Sequence, residues 1–388
     1  PETIDDSLLD ALSPGSLLRY SRTCKTAHSI VQDYMKRAFR VDRLLSRYFT
    51  PAEIIRFREL QHLTGALISG STAVQFFDRD TYPDSDLDVY VEHRFVRTLT
   101  NWLVKIGYKY TPLSDSADMA TLNAAFAANP PEQEPTPHPG AISIFAGQDY
   151  FKSSLVLNFE KRHPQRTIQL ITSLICPLQC ILDFHSTCVM NVIAHDKAYS
   201  FFPKATFEER RSLRCYREGD GNRDAAAHKY TLRGWSMINE SSIRKQVQNV
   251  FLFDKRHVGD RACWTLRVHP ALELPDSFVE GNSWSMVLSR NALPFMKTTV
   301  MAVRELKFRY TLSPQEARLV RVHFWHHMLS LNEASDGTRY FAIYCCGVVL
   351  HADRKSSDMD AFFLRTLKKY RGDKVDGPEN PGGHPKSG

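Results

Sequence analysis

Apolar positions recur near the helical period through the head of the chain: Leu8, Leu9 and Leu12, then Leu17, Leu18 and Tyr20, then Ile30, Val31, Tyr34 and Met35. Ser13, Pro14 and Gly15 punctuate them, so short helices are expected. Thr50, Pro51 and Glu53 supply an N-cap, a preset first turn and the returning acid of a capping box, predicting a helix to about His62. The period then changes. LTGALISG reads as a buried strand ending at Gly70-Ser71, a helix carries Val74, Phe76 and Phe77, and the turn DRDTYPDS leads to a second strand, DLDVYVE. Phe95, Leu99, Trp102, Leu103 and Ile106 then fall on one helical stripe ending at Gly107.

The stretch from Asn129 to Gly140, NPPEQEPTPHPG, reads as a mobile loop. SLVLNFEKR and RTIQLITS, joined by HPQ, predict a β-hairpin. A long helical region is expected from about Pro177 through Ser200, and a charged helical stretch from about Phe207 to Met237. The last third mixes strands (CWTLRV, SWSMVLS, TTVMAVRELKFRYTL, RYFAIYCCGVVL) with a helix near SPQEARLVRVHFWHHML, where Ser313, Pro314 and Glu316 spell the start. The Gly- and Pro-rich tail from Arg371 is expected to be disordered, and no internal repeat is evident.

Composition narrows the class. Of 388 residues, 43% are hydrophobic and 11% aromatic, which excludes global disorder. Fifty Lys and Arg against 43 Asp and Glu give a formal charge of +7, which permits nucleic-acid binding without implying it. No run of about 18 apolar residues suggests a membrane span, and PETIDDSLLDALSPG lacks the pattern of a secretory signal. The eight cysteines form no CxxC pair, so free thiols in a reducing cytoplasmic or nuclear setting are expected. Cys176, Cys180, His185 and Cys188 are better read as small packing groups than as metal ligands, and His323, His326 and His327 as part of one amphipathic helix.

The chemistry concentrates at Gly70-Ser71 and at Asp86-Leu87-Asp88. Two aspartates one residue apart on a strand point to one face, where both carboxylates can bind one hard cation. A glycine before a helix start lets backbone N–H groups approach a phosphate, and Ser71 adds a hydroxyl. Together they describe a place for Mg²⁺ or Mn²⁺ and a nucleoside triphosphate.

ALISGSTAVQFF followed by SDLDVYV resembles the DNA polymerase β-like nucleotidyltransferase superfamily, whose signature is an apolar strand, Gly-Ser or Gly-Gly, a helix, then Asp-x-Asp. IQLITS and FHSTCVMNVIAHDKAYSFFPKATFEERRSL look like nucleotidyltransferase-like proteins of many fungal genomes, extending the resemblance over roughly residues 60 to 235. It implies an α+β fold, a mixed sheet flanked by helices. The expected organisation is a helical segment at 1–48, a nucleotidyltransferase-like domain at 49–235, an α+β region at 236–370 and a tail at 371–388. The head also resembles an F-box in its Pro-Gly turn and SLLRYSRTCKTAHSIV run, which implies a Skp1-like adaptor as partner.

Catalytic members carry a third carboxylate on a later strand, but here the residue with the right flanks is Gln169, an amide that is neither a base nor a charge partner for Mg²⁺. Glu160 on the partner strand and Asp183 are the candidate substitutes. Lys229 and Arg233, one helical turn apart, are candidate grips for phosphate or a nucleic-acid backbone, with the solvated helix face as the plain alternative. Tyr230 and Trp235 are candidate stacking surfaces for a base, but aromatic residues here are better read as core. Two functions follow: a metal-dependent nucleotidyltransferase moving a nucleoside monophosphate to a hydroxyl on RNA, protein or a small molecule, or a binding module, including a ubiquitin-ligase substrate receptor. A hydrolase using His185 or His195 with Cys188 lacks a spacing signature.

Overall fold

The head folds as three short helices, α1 (Ile4–Asp10), α2 (Pro14–Ser21) and α3 (Lys25–Ala38), around Leu9, Leu17, Val31 and Tyr34. A one-turn helix, α4 (Val41–Leu45), leads to α5 (Pro51–Thr64), which carries both halves of the predicted capping box. It stops at Gly65, whose φ of +68° suits a residue without a Cβ. The computed structural model describes residues 4–83, 85–111, 122–124, 126, 155–173, 176–217, 219–238, 250–251, 253–289, 293–301, 306–320 and 359–372. The predicted loop at 129–140, the strand at 339–350, the histidines at 323, 326 and 327 and all of the predicted tail but Arg371 and Gly372 lie outside them; Arg371 is not tail but the last residue of a helix, paired with Glu316.

The body is a mixed α+β arrangement built on one large sheet. Its strands are β1 (Leu67–Ser69), β2 (Leu87–Glu92), β3 (Lys109–Thr111), β4 (Val156–Arg162), β5 (Gln165–Ser173), β6 (Asn191–Ile193) and β7 (Lys197–Ser200). Short strands β8 (Arg211–Leu213) and β9 (Ser236–Ile238) pair with each other outside it, and β10 (Lys255–His257) joins a separate small sheet. The large sheet is completed by β11 (Trp264–Arg267), giving the order β11-β7-β6-β1-β2-β5-β4-β3. Within this sheet only the β2–β5 pair is parallel; the β4–β5 hairpin turns at His163-Pro164 as predicted.

Period-2 alternation decides which face is covered. Leu87, Val89 and Val91, Leu157 and Phe159, and Ile168 and Leu170 all point into one core, which α5 and α7 (Val96–Lys105) close with Phe57, Leu60, Trp102 and Leu103. Each such side chain contributes about 1.5–3 kcal/mol on burial. The intervening residues Asp88, Asn158, Glu160, Thr167 and Gln169 face the other way and stay partly exposed.

Pro177 through Ser200 is not one helix. Only Pro177–Leu182 is a regular helix; a single turn at Thr187–Val189 follows, then β6 and β7. The run VMNVIA, apolar apart from Asn191, is buried throughout because β6 lies inside the sheet, with Ile193 opposite Ile68, and such a run looks alike in a buried helix and a buried strand. The charged stretch also divides: a wide turn at Lys204–Glu208, then β8, a helix at Gly221–Leu232 capped by Asp220, then β9. In the last third, SWSMVLS becomes β12 (Ser283–Leu288), paired with β10 and β13 (Pro294–Lys297), while β14 (Thr299–Met301) pairs with β15 (Tyr310–Leu312). Ser313 caps a helix over residues 314–320, and Met359–Arg371 is helical.

Candidate functional site

Gly70 opens α6 (Gly70–Asp78) with φ +64°, and a Cβ there would fall 2.1 Å from Asp88 Oδ2. Glycine is required because the Asp88 carboxylate closes directly on the bend. Antiparallel register explains the meeting, since Ser69 is opposite Asp88 on the β1–β2 pair. Side chains of α6 hold the bend to the start of β2: Thr72 Oγ1 donates to the Asp86 carbonyl at 2.8 Å, and Gln75 Nε2 donates to Ser85 Oγ at 2.9 Å. The Ser71 hydroxyl, expected as a phosphate contact, donates to Ser85 Oγ at 3.2 Å and is buried.

Two rows of polar side chains cross the opposite face of the sheet, beside a second core that covers Leu67, Tyr90 and Ile171 with Leu178 and Ile181. One runs Asp88, Gln169, Asn158, Thr111, each directly opposite the next. In the other, Glu160 is opposite Thr167 on β5 and Lys109 on β3, with Asp86 leading into β2 beyond Thr167. At about 4.8 Å per strand, Glu160 stands roughly two strand spacings from Asp86. Burial raises Asp86 above the ordinary carboxylate range, Lys229 pulls it down, and Glu160 pushes it up. Burial and the neighbouring Asp86 charge push Asp88 up to about 7, against Lys229. Asp86, Asp88, Glu160 and Lys229 therefore share one electrostatic field, although they come from three separate parts of the sequence.

Other expected residues are placed differently. Arg233 closes the helix Gly221–Leu232 and stacks 3.8 Å over the Tyr82 ring, on the turn before β2. Tyr230 and Trp235 are buried core, not stacking platforms: they pack with Val74, Cys188 and Val189, and the Trp235 indole donates to the Thr206 carbonyl at 2.9 Å. Asp183 faces Arg223 at 3.7 Å; burial pushes its carboxyl up to about 6, against that cation. His185 is pushed down to about 4 by burial and by Arg223, while burial raises the Cys188 thiol to about 11. A neutral thiol with its sulfur 3.6 Å from the Ser186 hydroxyl gives the hydrolase reading no activated nucleophile. Burial also pushes Cys176 and Cys180 up, to about 12 and about 11, as packing groups rather than ligands. Among the described residues, no group of three or more His, Cys, Asp or Glu side chains is close enough to hold a metal ion.

Sequence reasoning missed Asn158, whose Oδ1 is buried and accepts no hydrogen bond among the described residues. Its signal was present in the alternation of Asn158, Phe159 and Glu160. Arg47 was also missed; it donates to the Tyr82 and Pro83 carbonyls and to Gln75 Oε1, fixing the turn that aims Asp86. No family model matches the chain, and no curated protein or solved structure matches it. Among the described residues, no helix is long and apolar enough to cross a membrane.

Proposed function

We propose that this chain is a metal-dependent, nucleotidyltransferase-like protein that holds a nucleoside triphosphate beside Asp86 and Asp88 and moves its nucleoside monophosphate to a hydroxyl on RNA, protein or a small molecule. The observation that carries this reading is the closure of Asp88 on the Gly70 bend, which puts a carboxylate pair beside the start of α6. Two carboxylates suit Mg²⁺ or Mn²⁺, because a hydrated ion of this kind needs only one or two from the protein when substrate phosphates complete its shell. When bound, the ion would offset charge on the transferred phosphoryl group. Lys229 adds a cation facing the same pair. In this reading Glu160 is the candidate acceptor for the proton of the incoming hydroxyl.

A transfer assay with α-labelled ATP, GTP, CTP and UTP against total RNA and protein tests the reading. Label should move with Mg²⁺ or Mn²⁺, fall at least about a hundredfold in Asp86→Ala with Asp88→Ala, and fall in Glu160→Gln. Binding of the triphosphate without any transfer would favour a second reading, a fold kept as a binding module. The specific support for that alternative is Gln169, directly beside Asp88, where an amide can neither accept a proton nor neutralise a cation. The receptor form of that reading draws on the exposed Leu8, Leu18 and Tyr20 of the head. Retention of a Skp1-like adaptor by the full chain, lost on deleting residues 1–45, would support it.

A further inference from the structure

The N-terminus of α2 is capped by a carboxylate from a distant part of the chain. Glu208 Oε1 accepts the Gly15 amide at 2.5 Å, and Glu208 Oε2 accepts the Ser13 hydroxyl at 2.7 Å. Ser13 Oγ also accepts the Ser16 amide at 3.2 Å, and the Arg19 guanidinium lies 3.9 Å from Glu208. On the other side of the head, Arg79 donates to the Leu9 carbonyl at 3.1 Å, the Leu12 carbonyl at 2.6 Å and the Tyr34 hydroxyl at 2.5 Å. The buried residues of α1, α2 and α3 form a cluster of their own, joined to the sheet core on the α3 side by Met35 and Ala38, which pack against both. The end of the head formed by α1 and α2 is thus fastened to the body through Glu208 and Arg79.

We propose that Ser13, which is followed by Pro14, is the target of a proline-directed serine kinase, and that phosphate at this position opens the Glu208 latch. The γ-phosphoryl group of ATP would pass to Ser13 Oγ: the bond from Pγ to the ADP oxygen breaks, the Oγ–P bond forms, and the hydroxyl proton leaves to the kinase's base. The product carries about −1.5 to −2 charge and has no hydroxyl to donate to Glu208. Phosphate and carboxylate then compete for the Gly15 amide and for Arg19, while the Ser16 amide already donates to Ser13 Oγ. The phosphate holds the advantage because it is attached at the N-cap, so α2 remains capped while Glu208 loses its donors and is repelled. Of the four other Ser/Thr-Pro pairs, Thr136 lies outside the described residues, Thr111 ends β3 opposite Asn158, and the remaining two do not share this setting. Thr50 caps its own helix together with Glu53, and Ser313 is fully buried.

The test uses the full chain, a purified proline-directed kinase and ATP, with mass spectrometry to locate phosphate and hydrogen exchange to follow residues 4–22. Ser13 should be labelled, and exchange there should quicken about tenfold in the phosphorylated protein and in Ser13→Glu. Glu208→Gln alone should loosen the same segment, and Ser13→Glu should add little in the Glu208→Gln background. The proposal is overturned if Ser13 stays unlabelled. It is equally overturned if Ser13→Glu quickens exchange as much with Glu208→Gln as without it, because the effect would then be loss of the helix rather than of the latch.

Discussion

Gln169 stands directly beside Asp88 on the parallel β2–β5 pair, on the face of the sheet away from Leu87 and Ile168. A neutral amide at this point leaves Asp86, Asp88 and the more distant Glu160 as the acids of the site, with no carboxylate between them. Gln169→Glu would fill that gap. Mn²⁺ should bind about tenfold more tightly, or roughly 1.4 kcal/mol, while the metal-free protein loses about 1 kcal/mol to like-charge repulsion. Calorimetric titration with Mn²⁺ and denaturant melts measure the two effects.

Gly70→Ala should disturb the site from the backbone side. The substitution adds a Cβ 2.1 Å from Asp88 Oδ2 at a φ of +64°, so the carboxylate must move and the backbone is strained. A loss of about 1–3 kcal/mol in unfolding free energy is expected, together with weakened triphosphate binding. Ser71→Ala, which removes a hydroxyl bonded to Ser85 without entering the bend, should cost about 1 kcal/mol or less.

Asp88 makes the protein less stable as pH rises. Its folded value of about 7 exceeds the roughly 3.9 of an unfolded aspartate, so between those limits the folded state keeps a proton that the unfolded state has lost. Stability should fall as pH rises through that window. Asp88→Asn should therefore unfold at a higher temperature than the wild type at pH 8, with the difference vanishing near pH 4. The cation must displace the same proton, so its apparent affinity should climb up to about tenfold per pH unit below about 7 and level off above.

The opposite sign is expected at Glu316. Its carboxylate lies 2.9 Å from the Arg371 guanidinium, with both side chains nearly inaccessible, and joins the helix Met359–Arg371 to the start of the helix at 314–320. Burial alone would raise this acid, but Arg371, Ser283 and Lys255 outweigh it and hold it down at about 2. The stabilisation is present above the ordinary glutamate value of about 4.3 and is lost as pH falls toward about 2. Glu316→Gln leaves a buried guanidinium without its charge partner and should cost about 3–5 kcal/mol in a denaturant melt.

Legibility followed the physical origin of each feature. The capping box at Thr50, the strand and helix around Gly70, and the hairpin through Glu160 were readable because each is set by local chemistry and period. β6 was misread because its neighbours in the sheet, not its own pattern, make it a strand. At the site, Asp86, Asp88 and Gly70 were visible as a motif. That Gln169 adjoins Asp88, or that Lys229 faces the acids, depends on register and on the packing of a helix more than 130 residues further along the chain, which spacing does not encode. Tyr230 and Trp235 are core, as the plainer reading of them had it, although aromatic residues near basic ones look the same in a core as in a groove.

The most direct test is calorimetric titration of ATP, GTP, CTP and UTP into the full chain, with and without Mg²⁺ at pH 8, repeated on Asp86→Asn with Asp88→Asn. The account predicts that at least one triphosphate binds only when Mg²⁺ is present and that the double variant, still folded, loses this binding by at least about a hundredfold. Equal binding without the metal, equal binding by the double variant, or no binding of any triphosphate would contradict it.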